Sequence, residues 1–135
     1  MAYHFFGCVM VFDGQPEAAL PRLHAVPKLD PRFELLPTTF ADTGLAHFLV
    51  GDLEKAVQSC ERAIGEQPGH VRAWQRKATA LGIWGKIDEA KAAFTQVLKL
   101  QPSFSRSYLE TTYPFRNPAH FGMLEEGLRR AGWSG

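Results

Sequence analysis

The 135-residue sequence has few of the features from which chemistry or location is usually inferred. It has only two cysteines, Cys8 and Cys60, so no disulfide framework is predicted, and both stand at apolar positions typical of buried thiols. Its formal net charge is +1, which gives no global field that favours nucleic acid or a membrane surface. No apolar run approaches the roughly 18–20 residues that cross a bilayer. Residues 1–12 are apolar, but they have no basic leader, and no small-residue cleavage site follows. We therefore expect a cytoplasmic protein with neither a nucleic-acid nor a membrane partner.

Recognisable catalytic and ligand-binding motifs are also missing. The sequence has no GxxxxGK[ST] phosphate loop, and no base stands at a recognisable spacing from Ser59, Cys60 or Ser103. The pair Glu125-Glu126 is typical of a solvated helix face rather than of an acid and a base. The histidines do not form HxxxH or HExxH spacings that would place ligands on one helix face; they are His4, His24, His47, His70 and His120. We expect no catalytic residues, no metal and no cofactor, and hence a protein that is not an enzyme.

The sequence does contain one pattern written twice. Residues 51–68 and 85–102 share glycine, alanine and proline at positions 34 residues apart, namely Gly51 and Gly85, Ala56 and Ala90, and Pro68 and Pro102. Apolar residues within each copy recur at helical spacing, and the glycine can take the positive φ that ends a helix in a short turn. Each copy therefore predicts a second helix that follows a tight turn and ends at its proline.

This 34-residue period, with these residue types, resembles the tetratricopeptide repeat. The resemblance implies an all-α, right-handed α-solenoid of antiparallel helix pairs that forms a single domain over residues 1–135. We expect repeats at about 1–33, 37–70 and 71–104, a half-repeat at 105–113 and a C-terminal capping helix at 117–131. Pro21 and Pro27 fall inside the second helix of the first repeat, which we expect to be kinked or shortened. The last helix has one apolar stripe and is predicted to seal the end of the stack.

A narrower resemblance is carried by residues 46–56, 113–118 and 126–132. They look like the end of the tetratricopeptide array that follows the cyclase domain of some bacterial class III adenylate/guanylate cyclase-like proteins, or a winged-helix domain in related regulators. The chain contains no cyclase or winged-helix segment. The resemblance implies a regulatory arm of a bacterial signalling protein rather than a catalyst.

Tetratricopeptide arrays bind extended or helical peptides in a concave groove lined by the first helix of each hairpin. The resemblance carries that groove onto His4, Cys8, Phe12, Ala41 and Leu45, and onto the candidate binding residues Phe48, Arg72, Gln75, Arg76, Thr79, Arg106 and Leu109. The asparagines of the carboxylate-clamp subfamily are absent from the matching positions. We therefore expect a protein or peptide partner, acidic where it meets the arginines.

The N-terminal end of the stack offers a second candidate surface, because an uncapped array end exposes apolar side chains. Its residues are Tyr3, Phe5, Phe6, Val9 and Phe12. Residues 1–70 hold 5 Lys and Arg against 9 Asp and Glu, and residues 71–135 hold 10 against 5, so the halves carry −4 and +5. Opposite charges attract. The alternative hypothesis is therefore a self-associating structural element, a homo-oligomer formed through the N-terminal hairpin.

Overall fold

The computed structural model describes residues 2–135, which form eight helices and no strand. The helices are α1 (Ala2–Phe12), α2 (Pro16–Leu29), α3 (Leu36–Leu49), α4 (Leu53–Glu66), α5 (Val71–Trp84), α6 (Ile87–Leu100), α7 (Arg106–Thr112) and α8 (Pro118–Arg130). Helices α1 to α6 pack as three successive hairpins, each against the next. The predicted all-α solenoid of helix pairs is confirmed. None of the helices in this described part is long and apolar enough to cross a membrane.

The turns inside the hairpins depend on glycine. Gly14, Gly51 and Gly85 connect the two helices of the first, second and third hairpin, and their φ angles are +83°, +89° and +87°. Residues with a Cβ rarely adopt this left-handed conformation, so the turn requires glycine. Glycine therefore recurs in the sequence because each hairpin turn needs a residue with positive φ.

A small residue is also needed where the helices of a hairpin cross. A Cβ on Gly44 would lie 2.6 Å from the sulfur of Cys60 and 3.1 Å from the carbonyl oxygen of Ala56. In the first hairpin, a Cβ on Gly7 would meet Leu23 at 2.6 Å. Helix α3 lies in the middle of the stack, and nearly all of its residues are buried.

Of the predicted alternatives for α2, kinked or shortened, the shortening is not found. This helix runs through both Pro21 and Pro27 and has 14 residues, the same number as each of α3 to α6. Pro21 is exposed, and so is Glu17, whose carbonyl would otherwise accept the missing hydrogen bond. Water can reach an exposed carbonyl, which accounts for Pro21 but not for Pro27, because Leu23, four residues before Pro27, is buried.

The chain changes direction after the third hairpin. Helix α7 is preceded by its capping residue Ser105 and has only seven residues. Pro114 stands directly after its C-cap, Tyr113. Asn117 caps α8 through a hydrogen bond from the Ala119 amide, with Pro118 at the first helical position. Helix α8 packs mainly on α5 and less on α6. It therefore covers the first helix of the last complete hairpin and does not simply seal the end of the stack.

Candidate functional site

Five of the seven residues predicted to bind a peptide lie inside the fold. They are Phe48, Gln75, Arg76, Thr79 and Leu109, and none has more than 2% of its surface exposed. Arg72 is half-buried and Arg106 is exposed. The structure thus corrects the groove assignment: the chain itself covers these five side chains, which leaves them inaccessible to a ligand from solvent. Of the other groove positions, Ala41, Leu45 and His4 are buried as well, and Cys8 and Phe12 are half-buried.

Arg76 has an acidic partner within the chain. Its Nη1 lies 2.8 Å from Oδ1 of Asp42, and the side chains of both residues are at least 96% buried. Nε of Arg76 also donates to the hydroxyl of Tyr113, at 3.3 Å. Burial by itself lowers the pKa of the guanidinium, but Tyr113 and Asp42 raise it well above its ordinary value. Arg76 is therefore a permanent buried cation that the predicted acidic partner cannot reach.

Gln75 connects the same region to the C-terminal part of the chain. Its Oε1 accepts a hydrogen bond from the Tyr113 hydroxyl at 2.7 Å, and its Nε2 donates to Gln101 and to Tyr108 at 3.0 and 3.1 Å. Burial raises the pKa of Tyr113, so its phenol stays protonated and can donate. The side chains of Gln75 and Arg76, predicted to recognise a ligand, are thus bonded to other residues of the chain and share Tyr113 as a partner.

Arg106 is also paired. Its Nη1 bonds Glu125 of α8, and its Nε lies 3.4 Å from Glu110 of α7. The first pair connects α7 to α8 and the second lies within α7, and exposed ion pairs of this kind contribute little to stability. Arg72 is thus the one predicted groove arginine for which the described part of the chain shows no ion pair.

The segment between α7 and α8 reaches back to the first hairpin. The Phe115 ring lies 5.2 Å from the Phe12 ring, and the Arg116 amide donates to the Phe12 carbonyl at 2.8 Å. The Arg116 guanidinium pairs with Asp13 at 3.0 Å. Residues 113–117 and α8 therefore connect the last hairpin to the first, and we call residues 113–131 the C-terminal closure. Phe12, predicted to belong to the N-terminal interface, packs on this closure instead.

The remaining residues of the predicted N-terminal interface are exposed. Between 46% and 64% of the surface of each is accessible; they are Tyr3, Phe5, Phe6 and Val9. All four lie on α1, which carries no Asp, Glu, Lys or Arg. This apolar surface, which we call the α1 face, is the largest group of exposed apolar side chains on one described helix.

Two residues that build the closed region were missed in the sequence. Asp42 stands 34 residues before Arg76, so opposite charges occupy equivalent positions of successive repeats. The 34-residue spacing of Asp42 and Arg76 is visible in the sequence and would have indicated the ion pair. Nothing in the repeat pattern indicates Tyr113, because its contacts follow from the path of the chain after the repeats end.

The two thiols are shielded. Burial is the main cause that raises the pKa of Cys8 to about 11 and that of Cys60 to about 12, so both are protonated at neutral pH. Within residues 2–135 no three His, Cys, Asp or Glu side chains are grouped as metal ligands.

Comparison with known proteins supports the repeat and the fold. A family model of the tetratricopeptide repeat matches residues 71–104. The "FK506-binding protein-like" protein of Mus musculus is 34% identical over 65 residues, which cover 48% of this chain and 19% of that protein. An uncharacterized protein of Methanocaldococcus jannaschii is 39% identical over 51 residues, or 38% of this chain and 59% of that one. The chain thus spans about a fifth of the mouse relative.

A crystal structure of MamA has the same fold. The TM-score is 0.70 at 19% identity, and the match covers 96% of this chain and 74% of that one. At this identity the likeness concerns the fold alone. The chain therefore carries a tetratricopeptide repeat at residues 71–104 within an α-solenoid.

Proposed function

We propose that this chain is a non-catalytic scaffold for protein–protein interaction and that its contact surface is the α1 face. The observation that carries the proposal is the exposure of Tyr3, Phe5, Phe6 and Val9 on one helix at an end of the stack. Contiguous apolar side chains on a protein surface are typical of interaction sites. The tetratricopeptide repeat supports the general role, since such arrays bind proteins and peptides.

The repeat register indicates what kind of surface fits the α1 face. Phe40 and Thr43 of α3 stand 37 residues after Tyr3 and Phe6, and they adjoin the α2 residues Leu23 and His24 around one cavity. In the next hairpin, Trp74 and Lys77 adjoin α4 in the same way. The α1 face is therefore the surface with which the later hairpins contact the hairpin before them. A helical hairpin is its natural partner.

We place a second copy of the chain on this face. Residues 1–33 hold 3 Lys and Arg against 3 Asp and Glu, so the first hairpin is neutral and the −4 of residues 1–70 lies in residues 34–70, in the middle of the stack. Docking α1 of one copy on α6 of the next repeats the contact that α3 makes with α2 and that α5 makes with α4, whereas pairing two α1 faces does not. Leu98 of α6, at the position equivalent to Ile64 of α4, is 44% exposed and supplies an apolar contact. The association is thus head to tail.

Peptide binding in the concave groove is less well supported than binding at the α1 face. A ligand could reach Gln75 or Arg76 only if Tyr113 and α8 first left them, with loss of the buried hydrogen bonds. Arg72 remains accessible to an acidic partner at the surface.

The resemblance of residues 113–132 to the ends of cyclase-linked arrays supports a further proposal. The scaffold would be a regulatory arm of a bacterial signalling protein in the cytoplasm.

Light scattering against concentration, at about 20 mM and about 0.5 M salt, tests the head-to-tail contact. We expect association that persists in high salt, because the contact is apolar, and that is lost in Phe6→Glu and in Leu98→Glu. A mixture of these two variants retains one intact contact, so it should form dimers that neither variant forms alone. Leu29→Glu is the matched control, because the equivalent residue of the second hairpin is the exposed Glu66.

Three results would contradict this placement. A wild-type monomer at high concentration in low salt would rule out a second copy and leave a different protein as the partner. Association lost in Phe6→Glu but kept in Leu98→Glu would indicate two α1 faces in contact. Association unaffected by both substitutions would remove the α1 face from the proposal.

A further inference from the structure

A cleft between α4 and the third hairpin has no part in the closure or in the α1 face. It has a volume of about 520 Å³, and its walls include Val57 and Glu61 of α4, Trp74 and Trp84 of α5, and Glu89 and Ala93 of α6. A second cavity of similar volume, at the turn between α3 and α4, shares Trp84 and Glu54 with it. We call the two together the tryptophan cleft.

Both indole rings of the cleft already hold a cation. The Lys77 ammonium lies 5.1 Å from the centre of the Trp74 ring, and the Lys86 ammonium lies 3.9 Å from that of Trp84. Trp74 is held in place because its Nε1 donates to the Pro68 carbonyl at 2.9 Å. Indole faces attract cations through the ring quadrupole. The cleft is therefore built with two positions suited to a positive charge.

The charged side chains around the indole rings also favour a bound cation. The two cavities are lined by four carboxylates but by only two ammonium groups; the carboxylates are Asp52, Glu54, Glu61 and Glu89. Lys77 is engaged by Glu61 at 3.5 Å, and Asp52 lies 3.8 Å from Lys55. Glu54 and Glu89 have no ion pair among residues 2–135 and are exposed. Their charges remain available to an incoming cation.

We propose that the tryptophan cleft binds a basic peptide segment, with an arginine side chain on the Trp84 ring and an apolar neighbour against Val57. A guanidinium is planar and less strongly hydrated than an ammonium, so it stacks on indole better than the exposed Lys86 does. Glu54 and Glu89 neutralise the bound charge. The inference rests on the proposed role in protein interaction but uses a surface separate from the α1 face.

The probe is an acetylated, amidated octapeptide of alternating leucine and arginine, added to the full chain labelled with ¹⁵N. Titration shifts the indole N–H signals of Trp74 and Trp84, while that of Trp133, which packs on Phe104 away from the cleft, serves as the internal reference. The matching leucine–glutamate octapeptide is the charge control. We expect binding of the arginine peptide only, with shifts confined to the two cleft tryptophans.

Variants sharpen the test. Trp84→Ala should weaken arginine-peptide binding at least about tenfold, and Glu54→Gln with Glu89→Gln should weaken it by a similar factor. Lys86→Ala should strengthen binding severalfold, because it frees the ring and removes a competing charge; Lys86 makes no side-chain cap bond to α6. Lys99→Ala removes the same charge at an exposed site elsewhere on α6 and should cause a smaller gain.

Several outcomes would overturn the inference: no shift at millimolar peptide, equal binding of the glutamate peptide, equal shifts of Trp133, or weaker binding by Lys86→Ala. Failure of the α1 proposal is distinguishable, since self-association is read by light scattering. The Phe6→Glu variant should bind the arginine peptide as the unchanged chain does.

Discussion

Gly82 of α5 and Gly127 of α8 face each other with no space for a side chain between the helices. A Cβ on Gly82 would overlap the Gly127 carbonyl, and a Cβ on Gly127 would lie 2.5 Å from the carbonyl oxygen of Thr79. This contact brings α8 onto the α5 surface that carries Gln75, Arg76 and Thr79. It is one reason that a surface predicted to bind a peptide is instead buried; the contacts of Tyr113 with Gln75 and Arg76 are another.

Adding one methyl group at this contact should destabilise the protein. Gly127→Ala places a Cβ against backbone atoms, which cannot move as a side chain can, and we expect a loss of about 1–3 kcal/mol in the free energy of unfolding. Gly122→Ala is the matched control on the same helix, because nothing lies within 4 Å of its Cβ. The control should be neutral or stabilise by up to about 1 kcal/mol. Urea unfolding measures both, and equal effects would show that α8 does not pack closely on α5.

The Asp42–Arg76 pair should be costly to break from one side. Asp42→Ala leaves a buried guanidinium without its carboxylate, and a loss of about 3–5 kcal/mol is expected. Replacing both residues by apolar ones, as in Asp42→Leu with Arg76→Met, should recover most of that loss. Glu126→Gln, which breaks exposed ion pairs with Arg129 and Arg130, is the control and should cost less than about 1 kcal/mol. Chemical unfolding that gave similar losses for Asp42→Ala and Glu126→Gln would contradict a buried charge.

The Tyr113 hydroxyl should contribute through its two buried hydrogen bonds. Tyr113→Phe keeps the ring on Phe12 and Phe115 but leaves Gln75 and Arg76 each short of a partner, so we expect a loss of about 1–3 kcal/mol. Tyr3→Phe, on the exposed α1 face, should change stability little. If the two substitutions had the same small effect in thermal unfolding, the closure would not depend on this network.

Mild acid should weaken the fold through its histidines. Burial lowers the pKa of His4, His24, His47 and His70 from the ordinary value of 6.5. The unfolded chain then binds more protons, so the contribution is fully present above about pH 6.5 and is lost as the pH falls below that value. The urea midpoint should fall between about pH 7.5 and about pH 5.5, and less so in His47→Gln. A midpoint that stays constant over this range would contradict the lowered pKa values of these imidazoles.

The sequence predicted the regular part of the fold because each feature there has a local cause. Gly51 and Gly85 require positive φ, and Ala56 and Ala90 lie where two helices approach, so the pattern itself carries the information. Whether the candidate groove is open could not be predicted from such local patterns. Whether Gln75 and Thr79 are accessible depends on where α8 lies, and this is decided by a contact between glycines 45 residues apart.

Four of the five residues predicted for the N-terminal interface are exposed, because no hairpin packs on that side of α1 in the described structure. Phe12 is the exception. It lies at the end of α1 where residues 113–117 reach the first hairpin, and no local pattern indicates a contact across 103 residues.

The closure itself can be observed directly by nuclear Overhauser effects between the aromatic rings of Phe12 and Phe115 in the full chain. Their ring centres lie 5.2 Å apart, so we predict clear cross-peaks, together with slow hydrogen exchange of the Arg116 amide bonded to the Phe12 carbonyl. The absence of these cross-peaks, with rapid exchange at Arg116, would show that residues 113–117 do not contact the first hairpin. The predicted groove would then be open, and the central claim would be wrong.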